Sequence, residues 1–296
     1  MRPFVFLIAL TLGLAFLGHA HAEFPPKGFI VYEESASPDD RYAVLIPARG
    51  VPPQDEFKVG SKNFISDLKA RKLLGRIDHT DFYEGIYHKY LKVFWAPDST
   101  WCALVYEGRY GFESISVAEI ERAKIHQAEI GSYIESTLNS RLKHADEDVD
   151  CIAYLRPGSD RKLRVRALGT TNIKRLENRK TICSLFQGTY DLSAQKWSVI
   201  DVRTLGDDDF DTLERAYDPF ETGGRVFSSE NERAQWLDER LNFVYSALRV
   251  VLPSGRFAAI KREQIEWLKS QPKHRPASVI CVAWTARIKE MDKYLW

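Results

Sequence analysis

The side chains that could do chemistry are plentiful but scattered. Beyond the first 22 residues the histidines are His79, His88, His126, His144 and His274, and none falls in an H-E-x-x-H or other recognised metal spacing. The chain has no G-x-S-x-G turn for a serine nucleophile, no Walker loop and no Rossmann glycine pattern. Carboxylate pairs of the glycosidase kind can be drawn, Glu129 with Glu135 or Asp81 with Glu84, one acid to protonate a leaving oxygen and the other to attack or to activate water. A chain with 41 Asp+Glu offers such pairs by composition alone. The expectation is therefore a protein without catalytic residues. The densest acidic run, Asp207-Asp208-Asp209-Phe210-Asp211, has oxygen ligands of the type calcium takes but lacks the Gly-centred spacing of an EF-hand loop. A solvated acidic segment is expected there, with no metal and no cofactor.

Four cysteines remain, Cys102, Cys151, Cys183 and Cys281. In an oxidising compartment they allow three pairings. Cys151 with Cys183 is favoured, because each stands at the end of a β-type run and the closed loop would contribute roughly 3–4 kcal/mol through lost chain entropy. No C-x-x-C is present, which argues against redox catalysis and a zinc ribbon.

The elements that would position these groups divide the chain. From Phe24 to about Leu205 it reads mostly as strands. Ser37-Pro38-Asp39 before Tyr42-Ala43-Val44-Leu45-Ile46, and Ala96-Pro97-Asp98 before Trp101-Cys102-Ala103-Leu104-Val105, are turns feeding strands: Pro presets φ and Asp caps the turned backbone. Leu192 to Ile200 is a weaker copy without the Pro-Asp. The motif resembles that of β-propeller blades; with two clear copies a meandering antiparallel sheet is the first expectation and a propeller the second. Four further strands are expected at Val149–Leu155, Lys162–Leu168, Thr181–Tyr190 and Trp197–Val202. In the second, Lys162, Arg164 and Arg166 alternate with Leu163, Val165 and Ala167, which predicts a solvated basic face opposite an apolar one. Val117 to His144 breaks the pattern. Ile120, Ala123, Ile130, Ile134, Leu138 and Leu142 recur at threes and fours, predicting one long helix weakened at Gly131.

Residues 206–221 carry seven acids and one base and lead into Glu221-Thr222-Gly223-Gly224, so a flexible acidic linker is expected over 206–228. Beyond it, Leu241, Val244, Tyr245, Leu248 and Leu252 form one apolar helical stripe. Pro253 and Gly255 stop it, and a second pattern follows at Phe257, Ile260, Gln264, Trp267 and Leu268. The short connection predicts antiparallel neighbours. A third pattern runs through Ile280, Cys281, Trp284, Ile288, Met291 and Leu295. The fold class is thus α+β: a β-rich domain over 23–205, a linker over 206–228 and a small helical domain over 229–296.

The order Leu241-Asn242, Tyr245, Leu248, then Arg262, Gln264 and Trp267-Leu268, then Thr285 and Arg287, resembles the LprI-type lysozyme-inhibitor family over about residues 230–295. The resemblance implies a non-catalytic helical hairpin that binds through Asn242, Tyr245, Arg262, Gln264 and Trp267, with a lysozyme or another envelope protein as partner. This chain departs from the family in having Cys281 as its one cysteine there and Ser270-Gln271-Pro272 after the tryptophan. Residues 229–296 hold 12 Lys+Arg against 8 Asp+Glu, a net of +4. Like charge would slow approach to a basic lysozyme.

The location follows from the start of the chain. Arg2, the apolar run Phe4 to Leu17 and the small-x-small ending His19-Ala20-His21-Ala22 read as a secretory signal cleaved after Ala22. The run is shorter than the about 20 residues a span needs. A periplasmic or secreted protein that does not span the membrane after cleavage is expected. Its charge is balanced, 42 Lys+Arg to 41 Asp+Glu overall, which gives no reason to invoke nucleic acid.

Overall fold

A computed structural model describes residues 24–49, 63–142, 149–171, 182–217, 226–271 and 276–296. The signal stretch 1–22, His144, His274 and the Glu221–Gly224 joint lie outside them.

The strand-rich part is three four-stranded antiparallel meanders in sequence order. The first holds β1 (Phe29–Val31), β2 (Tyr42–Pro47), β3 (Phe64–Asp67) and β4 (Lys72–Arg76); the second β5 (Tyr90–Trp95), β6 (Trp101–Gly108), β7 (Gly111–Glu121) and β8 (Lys124–Glu129). The third holds β9 (Val149–Pro157), β10 (Lys162–Thr171), β11 (Cys183–Asp191) and β12 (Lys196–Leu205). Both Pro-Asp turns form as expected. Asp39 accepts from the Arg41 amide at 3.2 Å and Asp98 from the Thr100 amide at 3.1 Å. The residue after each Asp is left-handed: Asp40 at φ 54° and Ser99 at φ 59°.

The sheets stack face to face, and strand alternation decides which core each side chain joins. On β6, Trp101, Ala103 and Val105 enter the core shared with the third sheet. Cys102, Leu104 and Tyr106 enter the core shared with the first. That double burial is why the strand reads as an unbroken apolar run. On β10, Leu163, Val165 and Ala167 face the second sheet, while Leu168 faces the opposite side. There, Tyr154, Leu168 and Leu185 share a core with a layer of helices.

The long helix expected over 117–144 is corrected. Residues 111–129 are the β7–β8 hairpin, and of the described residues in this span only α1 (Gly131–Leu142) is helical. Arg122 and Ala123 make the two-residue turn, at φ 49° and 61°. Such turns normally advertise themselves with Asn-Gly, and Arg-Ala hides the signal. Ile120 pairs across the ladder with Ile125, while Ile134 and Leu138 sit on α1 in the core between the second and third sheets. Gly131 does not weaken this helix but begins it, its amide donating to the Glu129 carboxylate at 2.6 Å.

The expected linker is corrected too. Asp207–Tyr217 is an amphipathic helix, α2, that buries Leu213, Ala216 and Tyr217. Asp207, Asp208 and Asp209 stand in its first turn, where carboxylates complement the helix dipole. Three helices follow: α3 (Glu230–Val251), α4 (Ser254–Ser270) and α5 (Ala277–Leu295). Ser229 caps α3 by accepting from the Glu232 amide at 3.2 Å. The hairpin expectation changes in one respect: α3 packs mainly on α5, not α4. α5 buries Cys281, Met291 and Leu295, whereas α4 buries only Ile260 and Gln264. Gly255 lies in the first turn of α4 rather than ending α3. No helix among the described residues is long and apolar enough to cross a membrane.

The Cys151–Cys183 disulfide is overturned by the sheet register. Cys151 stands opposite Gly169 and Cys183 opposite Thr170, with β10 between them. Two strand spacings are about 10 Å, beyond the about 7 Å a bridge spans. The two also lie on opposite faces: Cys151 joins the core with the second sheet, and Cys183 shares the alternation of Leu185 on the helix side. All four cysteines are buried without a disulfide.

Candidate functional site

The basic face expected on β10 is where the helices dock. Arg166 is 4% exposed. Its guanidinium donates to the Leu295 carbonyl at 3.1 Å, to the Trp296 main-chain oxygen at 2.9 Å and to the Val165 carbonyl at 3.0 Å. Trp296 lies within cation–π reach of Arg166 at 5.7 Å and of Arg156 at 5.8 Å, and meets Tyr217 edge-on at 5.6 Å. Burial pulls the Arg166 pKa down, and burial pushes the Tyr217 phenol up to about 12.

Beside this clasp opens a cleft of about 570 Å³ between the sheets and the helices. Its sheet wall is built from Lys92 and Phe94 on β5 and from Tyr154 and Arg156 on β9. Each pair is two residues apart, so strand alternation turns both members to one side. Its helix wall is built from two matching stripes. Arg233, Trp236, Leu237 and Arg240 line it from α3; Thr285, Ile288, Lys289 and Asp292 line it from α5. Both sets run i, i+3, i+4, i+7, one face of a helix each. Phe227 packs on Trp236 at 5.5 Å.

Ion pairs and caps wire most of the cations in place. Lys92 binds Glu107 at 2.8 Å, and Arg156 binds Asp292 at 3.0 Å, joining the third sheet to α5. Arg240 donates to the Ala216 carbonyl at 2.7 Å and to that of Arg215, so α3 supplies the cation that satisfies the last carbonyls of α2. The lining as a whole holds five cations against the one carboxylate of Asp292.

None of Asn242, Tyr245, Arg262, Gln264 and Trp267 lines this cleft. Asn242 and Arg262 are exposed on α3 and α4. The other three tie the helices together. Gln264 is buried and accepts from Arg287 Nε at 2.7 Å. Trp267 meets Trp284 edge-on at 5.0 Å, under Arg287 at 5.7 Å, and Tyr245 packs on Phe257 at 5.3 Å. The cleft residues carried a signal in the sequence, a second stripe of mixed polarity on each of α3 and α5. Nothing local joins those stripes to β5 and β9.

The carboxylate pairs go elsewhere. Glu84 accepts from the Arg49 amide at 2.8 Å. Asp81, Glu113, Glu129 and Glu135 line a separate polar cleft of about 800 Å³. In it Asp81 accepts from the Tyr106 hydroxyl, Lys89 binds Glu113 at 2.9 Å, and Glu129 caps α1. Burial raises the Glu135 pKa, with Glu129 adding to the effect. The acidic run at 207–211 gathers no ligand set, and among the described residues no cluster of three or more His, Cys, Asp or Glu is placed to hold a metal.

No family model matches the chain, and no curated protein matches it. The chain is similar to the crystal structure of the tricorn protease, at 11% identity and a TM-score of 0.27, over 89% of this chain and 29% of that one. A likeness at that level bears on neither fold nor activity.

Proposed function

We propose that the protein is an exported, non-catalytic binding protein whose ligand occupies the cleft between the sheets and the helices. One observation carries this: two strand edges and two helical stripes, distant in sequence, converge aromatic rings and cations on one concavity of about 570 Å³. That volume lies within the range of small-molecule sites, and the boundary between two structural layers is a favoured place for them. Aromatic rings, wired cations and a single paired carboxylate suit holding a ligand rather than transforming it. Export rests on the first 22 residues.

The test is a titration with the neutral fluorescent dye N-phenyl-1-naphthylamine, comparing the native protein with Thr285→Trp, which fills the cleft from α5. One saturable site, lost in the variant, is expected. Absence of saturable binding by both this dye and its sulfonate analogue, or binding untouched by the substitution, sinks the cleft as the ligand site.

A second reading keeps the lysozyme-inhibitor role implied by the resemblance. It is favoured by the outer face of α4, where Arg262 is exposed beside Ile265 and Leu268, 41% and 49% exposed. A turbidity assay of cell-wall lysis decides it. If several lysozyme classes stay fully active under a large molar excess of the protein, the inhibitor reading fails.

A further inference from the structure

We propose that the ligand of this cleft is an oxyanion carried on a flat apolar body, an aromatic carboxylate, sulfonate or phosphate, with its charge held between α3 and α5. The inference rests on the binding reading above. The five lining cations differ in how much charge they still have to offer. Lys92 and Arg156 are each bound to a carboxylate within 3.0 Å, and Arg240 is directed at the carbonyls of α2. Arg233 and Lys289 differ. They come from the facing stripes of α3 and α5, and both are exposed at the cleft. Arg233 has one ion-pair partner among the described residues, Glu230, one turn back on its own helix at 3.7 Å. That pair is about half exposed on both sides, so it is weak and exchangeable. Lys289 has no ion pair among the described residues.

The one carboxylate in the lining, Asp292, is already neutralised by Arg156. A cationic or neutral ligand would gain nothing from Arg233 and Lys289, whereas an oxyanion meets both. Arg supplies a planar fork, Lys a point charge and Thr285, on the same helical stripe as Lys289, a hydroxyl. The body of the ligand meets Trp236, Phe94 and Trp296, rings whose faces favour stacking on a planar partner. Arg233, Thr285 and Lys289 also line a neighbouring groove together with Glu230, Ser278 and Val282, so both cations are reached from solvent.

The experiment uses two dyes with one ring skeleton, neutral N-phenyl-1-naphthylamine and its sulfonate analogue anilinonaphthalenesulfonate. The native protein is expected to bind the sulfonate at least about tenfold more tightly, one charge-assisted contact being worth about that much, with the two dyes competing for one site. Arg233→Gln with Lys289→Gln should remove that advantage, bringing the two dyes to similar affinity; Trp236→Ala should weaken both. Both substituted cations are exposed, and unchanged circular dichroism checks that the double variant folds. Equal affinity for the two dyes, or a sulfonate affinity that the double variant does not move, overturns the oxyanion inference while the cleft remains a binding site. Failure of both dyes to bind overturns the inference and the binding reading together.

Discussion

Arg166 and Arg164 stand two residues apart on one strand face, and their truncation should cost very different amounts. Arg166→Ala removes two hydrogen bonds that cross from β10 to the end of α5, to Leu295 and Trp296, and a third to Val165. Bonds from a charged donor contribute about 1.5–3 kcal/mol each. The two crossing bonds would therefore cost about 3–6 kcal/mol, and the unpaired carbonyls and the void under Trp296 would add to that. Relief from desolvating a guanidinium that is 4% exposed offsets part of the loss. The net expectation is about 3–5 kcal/mol. Among the described residues Arg164 is bound only to Asp160, at 3.2 Å, with both side chains more than a third exposed, so Arg164→Ala should cost under about 1 kcal/mol. Urea denaturation followed by circular dichroism measures both. By melting, the Arg166 variant should fall by about 6–20 °C, taking 2–4 °C per kcal/mol for a domain of this order of size. If Arg166→Ala stays within about 1 kcal/mol of the parent, or matches Arg164→Ala, the clasp does not join the two layers as described.

Four other outcomes are expected. Thiol titration should find essentially no reactive cysteine in the native protein and four in denaturant, the same with and without reductant, since all four are buried without a disulfide; two after denaturation without reductant would restore the Cys151–Cys183 bridge. Tyr217 loses its proton near pH 10 when unfolded but at about 12 when folded, so both states are protonated below pH 10 and stability falls as pH rises from 10 to 12, by at most about 3 kcal/mol from this group; Tyr217→Phe should remove that share of the alkaline loss in denaturation at pH 11. Glu135 is harder to ionise in the folded chain because it is half-buried beside Glu129, so stability falls as pH rises above 4.5, and Glu135→Gln should be more stable than the parent at pH 7 but equal to it at pH 3. Gly111→Ala should cost more than about 2 kcal/mol by the same denaturation assay, because its Cβ would stand 2.4 Å from the Cys151 carbonyl oxygen and 2.7 Å from its amide nitrogen, and main chain on a paired strand cannot give way cheaply.

Local sequence and tertiary structure diverge at three places, each for a physical reason. Val117 to Leu142 holds apolar residues at spacings that suit a helix, yet Val117 and Ala118 are buried on opposite faces of a strand. A strand packed on both sides has no alternation to display, and the Arg122-Ala123 turn carries no glycine. The acidic run after Gly206 looked like a solvated joint because its carboxylates outnumber the apolar positions. Leu213, Ala216 and Tyr217 are spaced to bury one edge all the same. Arg166 looked like Arg164 because the pattern of a strand tells which residues share a face but not what covers it.

What the chain determines alone is local. Turn chemistry at Asp39 and Asp98, apolar stripes on α3 and α5 and the strands of the third sheet follow from backbone preference and periodicity, which act over a few residues. The cleft belongs to the tertiary structure. Lys92 and Lys289 are nearly two hundred positions apart, and only the stacking of three sheets under a helical layer brings them to one wall each of the same space. No spacing along the chain encodes that meeting, because it depends on which faces pack. Packing is settled by the whole set of buried surfaces at once.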